Sequence, residues 1–192
     1  MRIENCDGKI YIRGFVVDSC SAFDGNTGAL TSHLADVGIE VINSNVILEN
    51  CAVLRAKQFG ARFINSNVLI SRGFAAYRNY EVTDNTAGAP VRRDFKTAGL
   101  NAVNSNVSLS AHPTYASGTD FMFNSQFNTV GILLENSVLK GGLGKTQDPT
   151  DGFGPAARGT NTAVGYNEIG IEANNSIIDI DGRLDVYSNL QG

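Results

Sequence analysis

Apolar and polar residues alternate over short stretches of this chain, and the same stretch returns along its length. Aligned without gaps on Gly38, Gly60, Gly99, Gly131 and Gly170, five segments share their columns. Ile39, Ala61, Leu100, Ile132 and Ile171 fill the first column after the glycine, and Val41, Phe63, Ala102, Leu134 and Ala173 the third. Between them stand Glu40, Arg62, Asn101, Leu133 and Glu172. A period of two predicts a strand with one face turned inward, and it places Asn101 on the outward face. A second strand follows, with Val46, Val68, Val107, Leu139 and Ile178 inward, then Leu48, Ile70, Leu109, Gly141 and Ile180. A partial sixth copy begins with Arg2 in the glycine position. The shortest repeat, Gly38 to Gly60, is 22 residues. Such self-similarity is the mark of a solenoid, in which each repeat buries its apolar face against its neighbours.

The two strands of a repeat meet at a polar corner of fixed composition. Asn43, Asn65, Asn104, Asn136 and Asn175 hold one column, with Asp7 in the first copy; Ser44, Ser66, Ser105, Ser137 and Ser176 hold the next. Asparagine tolerates the left-handed backbone of a sharp bend. When repeats stack at the ~4.8 Å strand spacing, one amide lies over the next and each NH₂ can donate to the carbonyl of its neighbour. The expectation is an internal amide row, with Asn65 bonded above and below and the row ending at Asp7, whose carboxylate cannot donate.

Composition agrees with an all-β chain. Glycine is frequent (21 residues), asparagine almost as frequent, and charged residues are only 18%. Both residue types weaken helices and favour turns. The net charge of −4 and pI near 5.1 offer no basic patch for a nucleic acid. No apolar run is long enough to insert in a membrane, and MRIENCDGKI has no signal-peptide core. Cys6, Cys20 and Cys51 are odd in number and form no C-x-x-C pair, so they read as free thiols of a reducing compartment.

With these features the chain resembles the right-handed, single-stranded parallel β-helix family. That resemblance implies about six coils of three strands, an asparagine row at the tight second corner, and longer loops elsewhere. The remaining strand of each coil is expected near Phe15–Val17, Ala52–Leu54, Phe74–Ala76 and Leu184–Val186. The RGF triplets at Arg13–Phe15 and Arg72–Phe74 mark the third corner. Residues 1–192 read as one domain, a segment of a longer chain. Insert loops fall near 18–37, 78–97, 113–130 and 143–169, all following the third strand.

Few residues suggest chemistry. Arg78, Glu81, Asp84, Arg92, Arg93, Asp94 and Lys96 form a charged candidate interaction loop. Polysaccharide lyases of the β-helix family use Asp, Lys and Arg, but no matching motif stands here. Asp18 with Asp24, or Asp148 with Asp151, are the carboxylate pairs available for glycoside hydrolysis. Asp179, Asp181 and Asp185 resemble a calcium loop without its final glutamate, and His33 and His112 have no partner cluster. No catalytic residue, metal or cofactor is therefore assigned.

FINSNVLISRGFAAYR and AVNSNVSLSAH are similar to virion structural proteins of large tailed phages of marine cyanobacteria. The similarity implies a rigid piece of a tail fibre, tailspike or related appendage, assembled in the host cytoplasm. Its partners would be other virion proteins or copies of itself, as a homo-oligomer such as a trimer, with a host surface glycan as a further ligand. A β-helical depolymerase is the alternative, and a bacterial adhesin a weaker third.

Overall fold

The computed structural model describes residues 1–23, 30–33, 35–77, 79, 97–110, 123–141, 160–180, 182–187 and 189. Among them there is no helix, and all strands but one short antiparallel pair form parallel ladders. The first ladder is a six-stranded sheet: β1 (Arg2–Glu4), β6 (Val37–Ile42), β8 (Phe59–Ile64), β10 (Ala98–Val103), β13 (Val130–Glu135) and β16 (Ile169–Asn174). The second holds β2 (Lys9–Arg13), the first halves of β7 (Asn45–Leu54) and β9 (Asn67–Tyr77), then β11 (Asn106–Ser110), β14 (Val138–Gly141) and β17 (Ile177–Ile180). The third holds β3 (Val16–Asp18), the second halves of β7 and β9, then β12 (Phe123–Gln126), β15 (Thr160–Gly165) and β18 (Gly182–Tyr187). The chain visits the ladders in the same order each time, and parallel neighbours always come from a later passage. This is the arrangement of a β-helix or solenoid.

The core lies between the ladders, where the period-two pattern directs one side chain in two. Ile39, Val41, Phe63, Leu100, Ile132 and Leu134 enter from the first ladder; Val46, Leu48, Val68, Ile70, Val107, Leu109 and Leu139 from the second; Val53, Phe74, Ala76, Phe123 and Val164 from the third. All are buried, and each Val, Leu, Ile or Phe among them contributes ~1.5–3 kcal/mol. Phe74 and Phe123 stack within the core with centroids 5.8 Å apart. The RGF triplets do turn the chain from the second ladder to the third, with positive φ at Gly14 (65°) and Gly73 (106°). Asn50 (φ 51°) does this in β7, where the register shifts between Glu49 and Cys51.

The inserts depart from the sequence reading. Residues 123–126 and 160–165 lie inside the expected inserts 113–130 and 143–169, yet they are strands of the third ladder. Residues 111–122 and 142–159 therefore leave between the second and third ladders. Residues 19–36 and 80–96 leave between the third and the first. The inserts thus arise at two corners rather than one. The first contains β4 (Cys20–Phe23) and β5 (Leu30–His33), the one antiparallel pair among the described residues. Asn101 also departs from its expected exposure: it is 2% exposed, and its Nδ2 donates to the Leu133 carbonyl at 3.5 Å. It stands in the row of Leu133, which with Ala98 and Val130 forms a second small buried apolar cluster beside Phe59 and Ile169.

Candidate functional site

The polar corners are the most regular chemical feature of the described surface. At the turn from first to second ladder, Asn43, Asn65, Asn104, Asn136 and Asn175 all take φ between 47° and 49°. Their amides form a row: Asn65 Nδ2 donates to Asn43 Oδ1 (3.2 Å), Asn104 Nδ2 to Asn65 Oδ1 (3.2 Å), and Asn175 Nδ2 to Asn136 Oδ1 (2.8 Å). The row continues to Asn5, not Asp7: Asn43 Nδ2 donates to Asn5 Oδ1 at 2.8 Å, and Asn5 has φ 54°. Arg2 pairs with Glu40 while Lys9 pairs with Asn45, so Asp7 and Gly8 are two extra residues in the first copy. A second amide row runs beside the first, with Asn67 Nδ2 donating to Asn45 Oδ1 (2.8 Å) and Asn106 Nδ2 to Asn67 Oδ1 (2.9 Å). Both rows are exposed rather than internal.

Of the serines in the next column, Ser44, Ser66, Ser105 and Ser137 point inward and are buried. Ser44 N donates to Ser66 Oγ, Ser66 N to Ser105 Oγ, Ser105 N to Ser137 Oγ and Ser137 N to Ser176 Oγ, all within 3.0–3.2 Å. Each hydroxyl donates in turn to the carbonyl two residues back, as Ser66 does to Ile64 at 2.7 Å. Cys6 occupies this column in the first copy, and its N–H donates to Ser44 Oγ.

A third row, which the sequence reading missed, is the buried one. Asn79, Asn128, Asn167 and Asn189 stand at the turn from third to first ladder, the first three at most 1% exposed. Asn79 Nδ2 donates to Asn128 Oδ1 (2.9 Å), Asn128 Nδ2 to Asn167 Oδ1 (3.2 Å) and Asn167 Nδ2 to Asn189 Oδ1 (3.3 Å). Each Oδ1 also accepts the backbone N–H of the preceding asparagine, at 2.8–3.0 Å. Outside this row runs a column of rings. Phe127 stacks on Tyr166 at 5.2 Å, while Tyr77 meets Phe127 and Tyr187 meets Tyr166 edge-on. Phe127 and Tyr166 hold left-handed φ (57° and 55°), uncommon for bulky residues, and Tyr166 is 48% exposed.

A groove of about 470 Å³ lies on the outer face of the second ladder, lined by Lys9, Asn45, Asn67, Leu69, Asn106 and Ser108. It offers amides, a hydroxyl and one cation, with no acid–base pair. Among the described residues no three His, Cys, Asp or Glu side chains gather to hold a metal. Asp18 forms a fork with Arg55, whose Nε reaches Asp18 Oδ1 at 2.8 Å while its Nη2 contacts Oδ2. Asp179 is exposed on β17, and Asp185 and His33 lie on β18 and β5. Arg78, Glu81, Asp84, Arg92, Arg93, Asp94 and Lys96 lie outside the described residues, as do Asp24, His112, Asp148, Asp151 and Asp181.

Burial pushes the Cys51 thiol up from its usual pKa, and the nearby Glu49 charge adds to the effect. A raised folded pKa means stability that is complete below the unfolded thiol value and is lost as pH rises through the folded one. Thiolate is the nucleophile, so Cys51 is expected to resist iodoacetamide at mildly alkaline pH while the less buried Cys6 reacts. Peptide mapping after a timed exposure reads this directly; equal labelling of Cys6 and Cys51 in the folded chain would contradict it.

No protein-family model matches the chain, and neither a curated protein nor a solved structure matches it.

Proposed function

We propose that the chain is a rigid right-handed β-helix of about six coils, about 29 Å long at the ~4.8 Å strand spacing, serving as a structural piece of a phage appendage. On this reading it belongs to the virion and works beside other virion proteins or copies of itself, as in a trimer, in assembly or attachment to a host surface glycan. The observation that carries the reading is the apolar surface at the two ends of the described stack. Ile3, Ile10, Ile12 and Val17 pack on it at one end only partly buried, and Ile177 (60%), Ile178 (37%) and Val186 (45%) are exposed at the other. Among the described residues β1, β2 and β3 pair on one side only, and so do β16, β17 and β18. Unpaired edges and apolar ends favour continuation onto a neighbour. A rod held by repeated hydrogen-bonded rows suits mechanical duty, whereas the polar groups brought together among the described residues form no acid–base or nucleophilic set.

The test is hydrodynamic. Residues 1–192 expressed alone are expected to associate as concentration rises, with sedimentation equilibrium giving a mass above that of one chain. A soluble monomer that keeps its end coils folded at high concentration would overturn the reading and favour a free-standing binding domain.

A further inference from the structure

We propose that the groove on the outer face of the second ladder binds a short, extended, β-linked oligosaccharide along the coil axis, with an acidic sugar at its Lys9 end. The inference rests on the attachment reading above and gives it a site and a sugar class. Strand alternation and the parallel register stack two outward columns of side chains. Lys9, Asn45, Asn67 and Asn106 form one, spanning roughly 14 Å at the ~4.8 Å strand spacing. Leu69 and Ser108 form the other, and Ile47 and Tyr11, the latter 55% exposed, continue its apolar side. A strip of amides thus runs beside a strip of apolar surface, and the volume of about 470 Å³ is that of a small-ligand cleft.

The amides are not used up on one another. Asn106 Nδ2 donates to Asn67 Oδ1 and Asn67 Nδ2 to Asn45 Oδ1, but an amide has two hydrogens and two lone pairs. Asn67 therefore keeps one N–H and one acceptor site for a ligand hydroxyl. The row also has a direction, and its ends are set by sequence within the stack: Lys9 stands beside Asn45, and Val138 beside Asn106. Lys9 Nζ, Asn45 Nδ2, Asn106 Oδ1 and Ser108 Oγ have no hydrogen-bond partner among the described residues. The Lys9 end presents an ammonium and both hydrogens of the Asn45 amide, with the aligned amide dipoles adding to its positive character. That end suits a carboxylate, while the Asn106 end offers an acceptor and a hydroxyl to neutral sugar. Spacing selects the occupant. A β-linked pyranose chain advances by close to one strand spacing per sugar, so each ring meets one coil, its hydroxyl edge on the amides and its C–H face on Ile47 or Leu69. An extended peptide rises ~3.3 Å per residue and falls out of step with the coils.

Titration calorimetry on the 192-residue chain compares three probes: β-1,4-linked tetraglucuronate, cellotetraose and tetraglutamate. Tetraglucuronate is expected to bind several-fold tighter than cellotetraose, with tetraglutamate weakest. Lys9→Gln should abolish the preference for the acidic sugar while leaving cellotetraose binding unchanged. Asn67→Leu, which removes the central amide, should weaken both sugars several-fold. No binding of either sugar would overturn the proposal, as would tetraglutamate binding as tightly as tetraglucuronate, or a preference that survives K9Q. Sedimentation of the same chain reports the appendage reading separately. A chain that associates but ignores both sugars loses this inference alone, and a monomer that binds them with the expected preference loses the appendage reading alone.

Discussion

Asn128→Ala is expected to lower stability by about 3–5 kcal/mol, because it strands several buried polar groups at ~1–3 kcal/mol each. Asn128 is fully buried. Its Nδ2 serves Asn167 Oδ1, Ser125 Oγ (3.0 Å) and the Ala76 carbonyl (3.2 Å), and its Oδ1 accepts both the backbone and side-chain N–H of Asn79. Water cannot replace these partners without opening the corner. Asn65→Ala should cost far less, because its row is exposed and water can take over both hydrogen bonds. The remaining penalty there is backbone: alanine at φ 49° costs ~1–2 kcal/mol. Asn65→Gly should recover most of that, since glycine adopts the left-handed region freely. Urea melts of the three variants separate the two rows. A loss in N65A as large as in N128A would mean that the outer row, not the inner one, carries the load.

The strands were legible because burial on one face writes a period of two into the sequence, and the tight corner was legible because five copies place Asn-Ser at one offset. Orientation was not legible there. A column records which residue recurs, and either Asn or Ser could have pointed inward; the left-handed backbone at the asparagine turns the serine hydroxyl to the interior. The inner row was hidden by spacing. Asn128 and Asn167 each stand three residues before a repeat glycine, Gly131 and Gly170, but residues 80–96 separate Asn79 from Gly99. The strands β12 and β15 were hidden similarly: each follows a long insert and carries no glycine anchor of its own. Asp7 was misplaced for the opposite reason, an extra Asp-Gly pair that an ungapped alignment cannot show. The charged residues of 78–96, the most chemical-looking part of the sequence, fall outside the described residues.

Gly131→Ala is expected to cost about 3 kcal/mol, near the top of the range for overpacked interiors. The reason connects the most visible repeat in the sequence with the least visible one. A Cβ on Gly131 would meet the Gly170 carbonyl oxygen at 2.5 Å, Asn167 Nδ2 at 2.8 Å and the Val164 side chain closer still. The same holds along the column: a Cβ on Gly60, Gly99 or Gly170 would lie 2.7–2.8 Å from Nδ2 of Asn79, Asn128 or Asn189. Glycine recurs there because the buried amides occupy the space of a side chain. Neither the backbone carbonyl nor an amide bonded on both sides can step aside as a flexible side chain would, so the added methyl has to part the stack. For a chain of this size that loss corresponds to a melting temperature lower by roughly 6–12 °C. Gly8→Ala supplies the control, since a Cβ at Gly8 meets nothing within 4 Å, and it should melt within about 2 °C of the parent. Calorimetry on both variants decides the matter: a G131A chain as stable as G8A would break the link between the glycine column and the inner amide row.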